Sequence, residues 1–246
     1  MVLVAVVSAD RTVTVVNRCS YTVWPGLFTD LNAGSAVPSQ ATGWEQTSGA
    51  TVTFTVPDNW TAGRIWPRTE CDFSTNPGPN SCATGGCNGG LECATTGGTG
   101  VPPATVAEFT LVPSGNDNYD VSIVDGFNVP VQVTPTAGCP EASCPVDLNT
   151  NCPASLQKKD SAGNVVGCLS DCQTALLTLH PANSPACCSG AFSTPATCPS
   201  SGVPDYAYFK DACPDSYVYA FDESSGTALW TCPGSNAADY TITFCP

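Results

Sequence analysis

The side chains of this chain best suited to chemistry are carboxylates, and three of them stand in or beside apolar, strand-like runs. Glu108 interrupts the apolar pattern Val106-Ala-Glu-Phe109, and Asp120 and Asp125 flank the run at 121–124. A carboxyl among apolar neighbours keeps its proton to a higher pH than one in water. Two such groups, one protonated and one ionised, can supply the acid and the nucleophile or base of glycoside hydrolysis. A carboxyl separation of about 5 Å leads to retention, and one of roughly 6.5–9.5 Å to inversion. The chain holds twenty-one acids, so most are solvated surface and composition alone does not choose the pair.

Other chemistries find less support. His180 is the single histidine, has no Gly-x-Ser-x-Gly elbow to work with, and stands beside Pro181 at the end of a helical pattern. A cation there complements the helix C-terminus. The Gly-rich stretch 85–100 lacks the Gly-Lys-Ser/Thr ending of a phosphate loop. The spacings Cys82-x4-Cys87-x5-Cys93 and Cys139-x4-Cys144 match no common zinc motif. Neither a metal nor a cofactor is expected.

The elements that hold the carboxylates are announced by the cysteines. Sixteen of them spread from Cys19 to Cys245, beside twenty-two glycines and twenty-two prolines. An even set in a loop-rich chain reads as disulfides formed in an oxidising compartment. Each bridge stabilises by roughly 2–4 kcal/mol. Residues 1–9, MVLVAVVSA, look like the remnant of a signal peptide, so secretion to the cell exterior or cell wall is expected. Asn59-Trp-Thr61 is a glycosylation sequon. The formal charge of −14 repels nucleic acid and anionic headgroups over a Debye length of about 8–10 Å. No apolar stretch reaches the length of a membrane span. Nucleic acid and membrane insertion are therefore not expected, whereas a neutral polysaccharide is admitted. A monomer is expected.

Alternating β-prone runs occur at 12–16, 20–24, 51–56, 63–66, 104–111, 119–124, 129–133 and 240–244. Short runs of this kind between Gly, Pro and Asn turns predict an antiparallel sandwich. Val52, Phe54 and Val56 share one face of their run. Helical spacing appears at 168–179, with Ser170 and Gln173 spaced as a capping box, and again at 204–212. Four cysteines cluster at 71–93 and nine at 139–213. The fold class is thus mainly β, an antiparallel sandwich core with two disulfide-rich excursions, the larger carrying short α-helices.

Specific motifs then carry a resemblance. Val15-Val-Asn-Arg-Cys-Ser-Tyr-Thr-Val-Trp24, Gly63-Arg-Ile-Trp66 with Arg68-Thr69 and Cys71, Pro102-Pro-Ala-Thr-Val-Ala-Glu-Phe109, and Tyr119-Asp-Val-Ser-Ile-Val-Asp-Gly-Phe-Asn-Val-Pro130 occur in order. Cys187-Cys188, Tyr208-Phe-Lys210, Cys213-Pro-Asp215 and Cys245-Pro246 follow. From about residue 11 onward the chain resembles the thaumatin-like, or pathogenesis-related group 5, proteins. The resemblance implies a core of residues 10–66, 99–138 and 228–246, a small excursion at 67–98 and a larger domain at 139–227. It implies eight disulfides: Cys19–Cys245, Cys71–Cys82, Cys87–Cys93, Cys139–Cys232, Cys144–Cys213, Cys152–Cys168, Cys172–Cys187 and Cys188–Cys198.

It also implies an acidic cleft of Arg64, Glu108, Asp120, Asp125 and Asp222, with Glu223 one step from the last. Family members bind or hydrolyse β-1,3-glucan. By that analogy the partner is β-1,3-glucan, Glu108 is the acid and Asp120 or Asp125 the base or nucleophile. Arg64 holds that Asp's charge, and Phe127 and Tyr219 stack on sugar rings. The alternative is a non-catalytic glucan-binding defence protein. Two departures stand in the small excursion: Gly86 in Thr84-Gly-Gly86-Cys87, where the family usually has Asp, and Pro79, where Gly is common. The segments at 27–45 and 184–202 look more like fungal members.

Overall fold

Alternation of Thr with Val at 12–16 places Val13 and Val15 on one face of a strand, both fully buried, and the threonines on the other. The run at 51–56 follows the same period and also forms a strand. The computed structural model describes residues 10–96, 100–179 and 181–246; the leader expected at 1–9 and His180 lie outside the described residues. The strands are β1 (Arg11–Asn17), β2 (Gly26–Thr29), β3 (Thr51–Val56), β4 (Gly63–Trp66), β5 (Val106–Thr110) and β6 (Asn116–Ser122). After them come β7 (Val131–Pro135), β8 (Ala142–Cys144), β9 (Gln157–Lys159), β10 (Val165–Cys168), β11 (Trp230–Pro233) and β12 (Tyr240–Phe244). Two helices, α1 (Asp171–Thr178) and α2 (Tyr206–Ala212), lie between β10 and β11.

One five-stranded sheet runs β3-β1-β12-β7-β8 and a second runs β11-β6-β5-β4-β2; β9 and β10 form a separate hairpin. The strands pair antiparallel except β1 with β12, which run parallel in the register Asn17 to Phe244. The inner faces of the two sheets pack Phe54, Trp60, Ile65, Phe109, Tyr119, Tyr240 and Phe244 into one core. Trp60 stacks on Phe109 at 5.8 Å between ring centres, and Phe109 meets Tyr240 edge-on at 5.3 Å.

Several expectations need adjustment. Residues 20–24 form no strand, only the isolated pairing of Val23 with Gln46. The helix expected from 168 starts at Asp171, because Cys168 belongs to β10. Ser170 caps it, its side chain accepting from the Gln173 backbone N–H. Phe54 and Val56 are buried, but Val52 is only half-buried. The short strands β2, β8, β9, β10 and β11 escape the periodicity, whereas β4, no longer than β2, coincides with the expected run at 63–66. One of them, β8, comes from the larger excursion and extends the first sheet.

All eight implied disulfides form. Cys19–Cys245 lies just beyond the last β1–β12 register pair and ties residues 226 positions apart. The segment at 67–98, closed by Cys71–Cys82 and Cys87–Cys93, is held by a further device. Arg68, fully buried, donates from Nε to the Trp24 carbonyl at 2.7 Å and from its terminal nitrogens to the Gly90 and Leu91 carbonyls at 2.7 and 2.6 Å. The two family departures lie against each other: a Cβ on Gly86 would come within 2.2 Å of the Pro79 carbonyl oxygen. With the backbone at Pro79 placed as it is, an aspartate at 86 has no room.

A buried ion pair crosses the sandwich. Arg11 of β1 meets Asp117 of β6 at 3.3 Å, and the pair is essentially without solvent exposure. Asp117 also accepts from the Tyr240 hydroxyl at 2.8 Å and the Val112 N–H at 2.9 Å, while Arg11 donates to the Gly234 and Ala238 carbonyls. Removing one buried partner strands the other charge, at a cost of about 3–5 kcal/mol. Asp117→Leu should therefore lower the melting temperature by on the order of 10 °C for a chain of this size. Calorimetry of Asp117→Leu beside Arg11→Met/Asp117→Leu checks it, the double variant recovering most of the loss.

Candidate functional site

Three strands deliver one polar row. Register places Arg64 of β4 directly opposite Glu108 of β5, and Glu108 directly opposite Asp120 of β6. Side chains directly opposite on adjacent strands have Cβ atoms about 4.5–5.5 Å apart. In β5 and β6 Ala107, Phe109, Tyr119 and Val121 point into the core, so Glu108 and Asp120 must emerge on the outer face. There they line a cleft of about 540 Å³ with Arg64, Ser122, Asp125, Tyr217 and Glu223.

The opposite wall comes from the larger excursion. The segment after α2 runs beside β6, with Tyr217 N–H donating to the Val121 carbonyl at 2.9 Å and Ile123 N–H to the Tyr217 carbonyl at 2.8 Å. Asp120 is thereby only 8 % exposed although it faces the cleft. Asp125 enters on the turn after β6, where Gly126 adopts φ +89 and a Cβ would meet the Cys168 carbonyl at 2.7 Å. Gln173 of α1 fixes that carboxylate by donating from Nε2 to Oδ1 at 3.0 Å. The spacing marked Gln173 as a capping-box partner; its backbone is capped by Ser170, but its side chain serves the cleft.

Arg64 Nε lies 2.6 Å from Glu108 Oε1, with the two side chains 39 % and 29 % exposed. The arginine expected to hold an aspartate's charge makes this ion pair with the glutamate, and its charge favours the ionised forms of Asp120 and Asp125 as well. Asp120 Oδ1 is buried and has no hydrogen-bond partner among the described residues. Burial pushes Asp120 well above the usual carboxylate range; the charges of Glu108 and Glu223 push the same way and Arg64 opposes them. Glu108 is raised as well, first by burial and then by Asp125, against the pull of Arg64 and a hydrogen bond from Ser122. Asp125 is raised by burial, with Arg64 and Gln173 opposing. Adjacent carboxyls that both resist ionising share protons, and their titration belongs to the pair.

Three residues expected at the cleft lie elsewhere. Phe127 is fully buried in the main core, because the turn at Gly126 redirects the chain and Phe127 pairs with Cys168. Tyr219 is buried against Cys188, Cys198 and the edge of Tyr206. Asp222 is fully buried, bonded to Lys210 at 3.0 Å, to the Tyr206 hydroxyl and to the Val218 N–H. Its neighbour Glu223 faces the cleft instead, hydrogen-bonded to Tyr217. No periodicity marked Tyr217, and none assigned Ser122 or Gln173 to the cleft. The sequon residue Asn59 is exposed.

A disulfide-bonded β-sandwich with an acidic cleft across one outer sheet face is a recognisable class of protein. The chain belongs to the Thaumatin family, whose profile matches residues 17–246. It is 44 % identical over 250 residues to pathogenesis-related thaumatin-like protein 3.5 of Cryptomeria japonica, covering all of this chain and 95 % of that one. It is 41 % identical over 239 residues to a glucan endo-1,3-beta-glucosidase of Prunus avium, covering 96 % of this chain and 90 % of that one. The solved thaumatin-like xylanase inhibitor shares 22 % identity and a TM-score of 0.47 over 95 % of this chain and 99 % of that one, a likeness too distant to bear on function. These relatives give the expected fungal branch no support. Among the described residues, no helix is long and apolar enough to cross a membrane.

Removing the Arg64 cation should raise the Glu108 carboxyl titration further, because the charge that opposes its burial is gone. Carbon-13 NMR of Arg64→Gln checks this; an unmoved titration would mean that the ion pair does not hold the charge.

Proposed function

We propose that this is a secreted protein that binds β-1,3-glucan in the acidic cleft and hydrolyses it within the chain. The observation that carries the reading is the cross-strand row Arg64–Glu108–Asp120, faced by Asp125 on the same cleft. Such a site holds carboxyls in different protonation states beside one cation.

Glu108 is the more open member of the pair it forms with Asp120 and hands the shared proton to the glycosidic oxygen. Before the transfer the pair carries one proton between its two members, because two adjacent anions in a dry wall are disfavoured. Once Glu108 has given up its proton, Arg64 stabilises the carboxylate as it forms. Asp125, hydrogen-bonded by Gln173, is the ionised group that serves as base or nucleophile. The surplus of carboxylates favours the positive charge that builds on the sugar ring. The Prunus avium relative's name supports this substrate.

Glu108→Gln should cut reducing-sugar release from a soluble β-1,3-glucan by at least about a hundredfold, with the melting temperature unchanged. Unaltered release would overturn the assignment. If the wild-type protein is retained on insoluble glucan yet releases no sugar, the cleft binds without cleaving.

A further inference from the structure

A second groove, of about 480 Å³, is lined by Tyr21, Thr22, Trp24, Glu70, Asn149 and Val166 among others. Among the described residues it shares no lining with the acidic cleft. Its volume falls in the range of small-ligand sites, roughly 300–1,000 Å³. The loop after β1 supplies the aromatic side, and Tyr21 remains 46 % exposed.

The side formed by Asn149 is closed. Asn149 Nδ2 donates to the Asn128 carbonyl at 2.9 Å, which fixes the amide's orientation. Its Oδ1 is sealed from solvent, so contacts to a ligand come from the groove's exposed side chains. Glu70 is held at φ +50, a backbone region a glutamate rarely occupies. Burial, and after it the charges of Asp147 and Glu70, push the Tyr21 hydroxyl upward, so it stays a neutral donor. These acids also turn away anionic ligands.

We infer that this groove is a second saccharide site, in which Tyr21 and Trp24 lie against a pyranose face. A neutral ring with an apolar face stacks on such aromatics and is not turned away by the neighbouring acids. Its ligand is a β-linked glucan chain, a choice that rests on the reading of the cleft. Two sites on one polymer raise retention on an insoluble wall without any new contact at either.

The test is an NMR titration of the intact protein with a soluble β-1,3-linked glucose hexamer. Amide shifts at Trp24, Asn149 and Val166 should saturate independently of salt. Tyr21→Ala should weaken them about tenfold, while Tyr21→Phe stays close to wild type. The Tyr21 carbonyl is already pinned by Asn17 Nδ2 at 2.9 Å, so loss of the ring does not release the loop. Shifts at Asp120 and Ser122 report the cleft separately and should be the same in Tyr21→Ala. Groove residues that stay silent while the cleft responds would overturn the inference, as would groove shifts unchanged in Tyr21→Ala. A groove that answers instead to tetralysine, and loses that response in salt, would also overturn it and mark a site for basic peptides. A silent cleft beside a responding groove would count against the proposed function and leave this inference standing.

Discussion

The buried pair of Arg11 and Asp117 sets the relation between the two sheets on which everything else rests. Arg11 belongs to β1 in one sheet and Asp117 to β6 in the other, and Tyr240 of β12 closes the contact. Along β6 the odd-numbered residues face the core and the even-numbered ones face the cleft. A slip of one residue would turn Asp117 outward and drive Asp120 inward. Such a slip would leave Arg11 without its anion in a dry interior, a heavily penalised state. The ion pair therefore acts on register as well as on stability. It is what keeps Asp120, three residues further on, opposite Glu108.

The cleft is assembled from two kinds of material. One side is a row across neighbouring strands, as rigid as the sheet that carries it. The other is irregular chain that brings Tyr217, Glu223 and Gln173 into place, and its conformation is fixed by crosslinks. Cys144–Cys213 leads α2 into the Tyr217 segment, and Cys152–Cys168 and Cys172–Cys187 bracket the start of α1. Groups aimed from such fixed walls need little reorganisation when charge moves between them.

The sequence was most legible where a side chain's role follows from strand alternation. Glu108 and Asp120 stood out because each breaks an apolar pattern, and that break is what puts a carboxyl on the outer face. Asp222 and Glu223 could not be told apart in the same way. They sit on a single helical turn, Asp222–Ser225, where adjacent residues face different surroundings and alternation carries no information. Phe127 and Tyr219 misled for a related reason, since an aromatic near an acidic motif in sequence can be turned into the core by one glycine or packed on a disulfide. Gln173 was visible as a cap, but its reach to Asp125 spans 48 positions of sequence and left no local trace. Five of the six shortest strands were hidden because their stability comes from neighbours rather than from their own pattern.

The pairing of β1 with β12 has a consequence for how the molecule comes to exist. β12 lies between β1 and β7, so the first strand of the sequence has its parallel neighbour only when residues 240–244 are present. A chain emerging from the ribosome or a translocation pore N-terminus first must hold Val13, Val15 and Arg11 uncovered on that side until residues 240–244 have followed. Assembly of this sheet thus waits on a strand more than two hundred residues downstream of its partner. A messenger cut short before codon 240 would leave its centre open, with unpaired backbone and apolar side chains offered to whatever lies nearby.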